Sequence, residues 1–178
     1  ETQLVQALGS VLHIQVVEGL IESIEQPRRR AHLLPAGAGG LLNLRDLEQG
    51  IDNINRLPSH QAALDLVPGT TPGGTIVRIQ DSRTQPWRLS LSADNTGTQN
   101  TGRNQASATL SVDDLLGIGE SLAVTHRRPV PYRSGREASE STSASLSLPW
   151  GYHSFTLGGS VSSYAMQFAA PSGLDLPF

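Results

Sequence analysis

Apolar positions change rhythm along this chain. They recur at helical spacing over residues 44–57 and at every second residue, with few interruptions, over 87–163. Period two places alternate side chains on opposite faces of a strand, so one face meets an apolar medium and the other does not. Five segments carry it. Trp87, Leu89, Leu91 and Ala93 alternate with Arg88, Ser90, Ser92 and Asp94, and Ala106, Ala108, Leu110 and Val112 with Ser107, Thr109 and Ser111. Leu122 and Val124 alternate with Ser121 and Thr125. Thr142, Ala144, Leu146, Leu148 and Trp150 alternate with serines, and His153, Phe155, Leu157, Gly159 and Val161 with Ser154, Thr156, Gly158, Ser160 and Ser162.

Before residue 80 the pattern is mixed. Val11–Val17 alternates and reads as a strand, with Ile21 and Ile24 as a further apolar contact. Pro27–His32 is expected as a short helix and residues 35–40 as a Gly-rich loop. Asn43 then suits an N-cap, Asp46 adds negative charge in the first turn, and Leu44, Leu47, Ile51 and Ile54 form one apolar stripe that Pro58 ends. Gly50 inside that helix costs about 1 kcal/mol relative to Ala, which points to a close packing approach. Ala62–Val67 and Thr75–Ile79 read as two short strands. The first 80 residues are therefore a small α+β layer, and the whole an α+β domain followed by antiparallel strands.

Alternation alone also describes a soluble sheet with one wet face. That alternative makes the chain an α+β domain joined to a β-sandwich that binds protein or glycan. Two features favour lipid. The polar face is rich in Ser and Thr, with few Lys or Glu. The connections alternate long (95–104), shorter (113–120), long (127–140) and tight (149–153), while Trp87, Trp150, Tyr152 and Phe155 gather at the short-turn end. Outer-membrane barrels have short turns on one side, longer loops on the other and aromatics at the interfaces. A hydrophobic fraction of 37% suits a barrel with a polar interior. No stretch reaches the roughly 20 apolar residues of a membrane helix.

Charge and composition exclude other classes. A net charge of −3 does not suggest a nucleic-acid partner, and the basic run Arg28–Arg30 is expected as a solvated face. There is no cysteine, hence no disulfide or thiol chemistry. His13, His32, His60, His126 and His153 show no metal-ligand spacing. The glycines at 117 and 119 lack the helix of a dinucleotide site, and those at 69–74 lack the Lys of a phosphate loop. Asp113 and Asp114 are adjacent on a turn, poorly placed for paired acid–base work. No catalytic, cofactor or metal site is expected, and no enzyme.

Residues Leu42–Ser59 (LNLRDLEQGIDNINRLPS) resemble the second POTRA domain of two-partner secretion transporters, the hemolysin secretion/activation family of outer-membrane proteins. The resemblance extends in order through Leu12–Gly19 (LHIQVVEG), Leu66–Gly69 (LVPG), Asp94–Gly97 (DNTG), Thr101–Gly102 and Leu115–Gly119 (LLGIG). It implies a linker over 1–10, a β-α-α-β-β POTRA domain over 11–80 in the periplasm, and the first, incomplete part of an outer-membrane β-barrel over 81–178. Five strands fall short of the eight or so that a closed single-chain barrel needs, so the chain is expected to be a fragment without a visible leader. The implied partners are outer-membrane lipid and a secreted exoprotein, whose N-terminal secretion domain the POTRA domain receives. Arg45, Asp46, Glu48, Gln49, Gly50, Asn55 and Arg56 match the family's helix motif, for which capping and packing is the plainer role. For reception, Ala62, Ala63, Leu64, Asp65, Leu66 and Val67 are the candidate sheet edge to which an extended segment would add.

Overall fold

The computed structural model describes residues 4–8, 11–26, 30–98, 102–131, 138–165, 167–169 and 175–177. They form two compact units. The first comprises residues 1–84 with 116–119 and 149–154, and the second residues 85–115, 120–148 and 155–178.

In the first unit, β1 (Leu4–Leu8) and β2 (Val11–Gln15) pair antiparallel, Leu4 opposite Gln15 and Leu8 opposite Val11. The alternation after residue 11 is therefore that of a strand, but its partner is the apolar run just before it. A strand occupies part of the expected linker, and the domain sheet begins later. That sheet contains β3 (Leu20–Glu25), β4 (His60–Pro68) and β5 (Gly74–Arg83) in the order β3-β5-β4, with β3 parallel and β4 antiparallel to β5. Between β3 and β4 lie a single 3-10 turn (Ala31–Leu33) and α1 (Leu44–Asn55). The turn stands where a short helix over 27–32 was expected; residues 27–29 lie outside the described residues.

The core is Ile21, Leu33, Leu34, Leu47, Ile54, Ala62, Val77 and Ile79. Each fully buried Leu, Ile or Val removes apolar surface worth about 1.5–3 kcal/mol from water. Helix α1 starts as its sequence requires. The Asn43 side chain accepts a hydrogen bond from the Arg45 N–H at 3.1 Å, a cap worth about 1 kcal/mol. Its buried face is Leu47, Gly50, Asn53 and Ile54, while Leu44, expected in the stripe, is 55% exposed. Gly50 is packed tightly, and a Cβ there would lie 2.7 Å from Leu34 Cγ.

Two polar clusters fasten the sheet. Arg30, expected on a solvated face, is buried and donates to Asp81 at 3.1 Å, and His60 Nδ1 meets the same carboxylate at 3.0 Å. A carboxylate this buried is tolerated only when paired, which draws Arg30 inward. At the other end Glu22 on β3 holds the β4–β5 connection. Its carboxylate accepts from the Thr70 N–H (2.8 Å), the Thr71 N–H (3.2 Å) and both threonine hydroxyls. The Thr70 hydroxyl first, then the Thr71 N–H, hold the Glu22 pKa below the ordinary glutamate value.

The second unit is built on a five-stranded antiparallel sheet in sequence order. Its strands are β6 (Trp87–Asp94), β7 (Gln105–Asp113), β8 (Ser121–Pro129), β9 (Ala138–Trp150) and β10 (His153–Ala165). Register keeps the two faces distinct. One face shows the rows Trp87–Val112–Leu122–Leu146 and Leu89–Leu110–Val124–Ala144; the other shows Ser90–Thr109–Thr125–Ser143. A final pair, β11 (Gln167–Ala169) and β12 (Asp175–Pro177), is antiparallel.

Gly50→Ala would gain about 1 kcal/mol of helix propensity, but the clash with Leu34 costs about 1–3 kcal/mol, so the change should destabilise. Faster hydrogen exchange of the α1 amides would show it. Because the folded-state pKa of Glu22 is depressed, its contribution is present above the ordinary value and lost as pH falls through the folded value. Below about pH 4.5 the Thr70 and Thr71 amides should lose protection until it matches that of a Glu22→Gln variant, whose own protection should change little over the same range.

Candidate polypeptide-docking site

Helix α1 is the element on which the site is assembled, because opposite flanks of it hold different backbone segments. One flank holds two short turns that belong to the first unit. Asn53, buried in the helix, donates through Nδ2 to the Leu33 carbonyl at 2.7 Å and to the Gly151 carbonyl at 2.8 Å, and Gln49 Nε2 donates to Asn53 Oδ1 at 3.2 Å. The Gly151 N–H returns a bond to the His32 carbonyl at 2.8 Å. The Tyr152 hydroxyl donates to Asp46, a bond that raises the tyrosine's pKa and keeps its proton in place. The other turn, residues 116–119, is read the same way. His32 Nε2 lies 2.9 Å from the Ile118 carbonyl and Arg56 Nη2 lies 3.4 Å from that of Gly119. Gly119 itself has φ +77°, and a Cβ there would approach Leu33 to 3.0 Å, so glycine is required twice over.

The other flank meets β4. In an antiparallel pair the N–H and C=O groups of alternate residues point to the partner strand and away from it. Asn55 accepts from the Ala62 N–H at 2.6 Å and donates to the Ala62 carbonyl at 3.1 Å, which identifies Ala62 as outward-pointing. By alternation Leu64 and Leu66 also point outward, and no strand lies beyond β4 among the described residues. The candidate edge Ala62, Ala63, Leu64, Asp65, Leu66 and Val67 is thus an edge strand whose first outward groups a side chain covers. Leu64 is half-buried and Leu66 is 42% exposed. An apolar groove lined by Val17, Leu42, Leu66, Pro68 and Pro72 adjoins this edge.

Most of the helix motif therefore has a structural role. Asp46 and Arg56 hold turns, Gln49 orients Asn53, Gly50 admits Leu34, and Asn55 covers the edge; Arg45 and Glu48 are exposed. Asn53 carries no motif of its own in the sequence, and His32 reads there only as a histidine without metal-ligand spacing. A polar residue three positions after Gly50, on the face of Leu47 and Ile54, was the available signal for Asn53. All four aromatics expected at a membrane interface, Trp87, Trp150, Tyr152 and Phe155, are more than half exposed; the Trp150 ring also lies 5.2 Å from that of His32, and Tyr152 bonds Asp46.

On the second unit's sheet the polar face is knit by hydroxyls and closed ion pairs. Ser92 and Ser107 lie 2.7 Å apart and Thr109 and Thr125 2.9 Å apart. Near the short turns Arg88 donates twice to buried Asp113, at 2.7 and 3.1 Å; near the long connections Arg127 bonds Asp94 at 2.8 Å and Thr96 at 2.8 Å. The opposite face exposes Leu89, Leu91, Leu157 and Val161 by 58–78% and turns polar at His126, whose Nδ1 lies 3.0 Å from Thr142.

A POTRA-type layer followed by an antiparallel meander with one apolar and one hydroxyl-rich face defines the class. The chain matches the POTRA domain profile over residues 20–68 and that of the haemolysin secretion/activation protein ShlB/FhaC/HecB over 73–174. It belongs to this haemolysin secretion/activation family. The outer membrane transporter CdiB of Dickeya dadantii is 32% identical over 90% of this chain and 29% of its own length. The hemolysin transporter protein ShlB of Serratia marcescens is 33% identical over 86% and 28%. The solved structure of CdiB from Escherichia coli superposes with a TM-score of 0.85 at 28% identity, covering 97% of this chain and 34% of that one. The chain thus spans about a third or less of the relatives it matches.

Asn53→Ala should cost about 2–4 kcal/mol, because it leaves two carbonyls without their donor. Asn53→Asp should be no better, since a carboxylate cannot donate. Proteolysis at residues 149–154 should accelerate in both variants.

Proposed function

We propose that this chain is the receptor and opening-strand region of an outer-membrane transporter that recognises a large partner exoprotein and exports it by two-partner secretion. The observation that carries the reading is the pairing, in one chain of this family, of a POTRA sheet with an open edge and a meander whose register separates an apolar from a hydroxyl-rich face. Residues 11–80 serve as the periplasmic POTRA domain and residues 81–178 as barrel wall. Apolar residues face lipid and hydroxyls face the conduit, which supplies hydrogen bonds without fixing on any one sequence. The closed pairs Arg88–Asp113 and Arg127–Asp94 keep formal charge on that wall balanced. Strands β6 and β10 each have one unpaired side among the described residues, which lipid does not tolerate, so further strands must pair there in the working transporter.

Reception at β4 is β-augmentation: an extended segment of the partner's secretion domain adds to the outward backbone groups. Trp87, Trp150, Tyr152 and Phe155 mark the periplasmic interface.

Proline at both Leu64 and Leu66 removes two outward donors. In a variant that still folds, partner binding should fall at least tenfold; unchanged binding would place reception elsewhere. The full-length protein in detergent should show heat-modifiable gel mobility. Solubility without detergent would instead favour a β-sandwich binding module.

A further inference from the structure

The outer edge of β4 is short, and both of its ends are defined by side chains. Outward groups belong to Ala62, Leu64, Leu66 and Pro68, since Gly69 pairs inward through its N–H to the Gly74 carbonyl at 2.8 Å. At one end the Asn55 amide already fills both Ala62 groups, at 2.6 and 3.1 Å. At the other end Pro68 has a carbonyl but no N–H. Between these stops stand the N–H and C=O of Leu64 and Leu66 and the C=O of Pro68.

The ligand chemistry follows from what already sits there. A primary amide, the chemical equivalent of one peptide group, occupies the first outward position, so the next positions are set up for further peptide groups in line with it. An added strand would lay its alternate side chains beside Leu64 and Leu66, on the face where Val17, Leu42, Leu66, Pro68 and Pro72 line a groove. Resting on the β-augmentation reading above, we infer that Asn55 is a register stop. It limits the site to a single extended stretch spanning the five residues Leu64–Pro68 and selects a partner segment with apolar side chains at alternate positions. Asn55 sits in the family helix motif and contacts no partner itself; it acts by removing Ala62 from the edge.

The test uses the full chain in detergent and capped peptides of alternating Thr and Val, about five and about nine residues long, with residue-resolved hydrogen exchange and binding as readouts. In the unaltered protein both peptides should protect the Leu64 and Leu66 amides, leave the already protected Ala62 amide unchanged, and bind within about twofold of each other. In Asn55→Ala the Ala62 amide should exchange freely without peptide. It should become protected by the longer peptide, whose affinity rises roughly three- to tenfold, the worth of one or two hydrogen bonds. Pro68→Ala is the control at the other end without touching the helix: both peptides reach residue 68, so the new amide should be protected by both and the length preference should stay as in the unaltered protein. If the longer peptide already binds the unaltered protein about tenfold tighter, or Asn55→Ala leaves the length preference unchanged, the register stop is overturned while the edge stands. If no peptide protects Leu64 and Leu66 in any form, β-augmentation at β4 fails, and the register stop with it.

Discussion

Backbone N–H and C=O groups withdrawn from water must find partners, and much of this structure is an answer to that requirement. Five strands of the second unit pair in sequence order, leaving one side each of β6 and β10 open among the described residues. In the first unit the requirement is met by side chains wherever strands end. Asn43 caps α1, Glu22 collects the β4–β5 connection, Asn53 ties the Leu33 and Gly151 carbonyls, and Asn55 covers Ala62. Amide side chains recur because one Asn can donate and accept at once. Beyond Ala62 the outer edge of β4 has no strand beside it among the described residues, which is why the proposed reception is placed there.

Helix α1 concentrates the consequences. Asn53 and Asn55, two residues apart, face different segments: one reads a turn between β9 and β10, the other reads β4. A disturbance of the helix is therefore felt both at the turns and at the β4 edge, and Gly50 fixes how closely α1 lies on Leu34.

Much of this was legible in the sequence. Period two located all five meander strands, because small hydroxyl residues recur at alternate positions against apolar ones in each of them. Asn43, Gly50 and the helix were legible from capping and propensity. What failed depended on distant partners. The strand at 11–15 pairs with 4–8 rather than with the domain sheet, which local alternation cannot decide. Arg30 is drawn inward by Asp81, 51 positions away. Asn53 looks like an ordinary helix polar residue until the Gly151 turn arrives 98 positions later. The family resemblance located the helix motif, but the division of labour within it depends on segments far away in sequence.

The central claim is that β4's outer edge receives the exported polypeptide. Photo-crosslinking from within the full-length transporter during export tests it most directly. A benzophenone side chain at Ala63 or Asp65, whose backbone neighbours carry the outward groups, should yield adducts containing the exported protein, while the same group at exposed Asp52 on α1 should not. Equal adducts from all three positions, or adducts from Asp52 alone, would contradict the account.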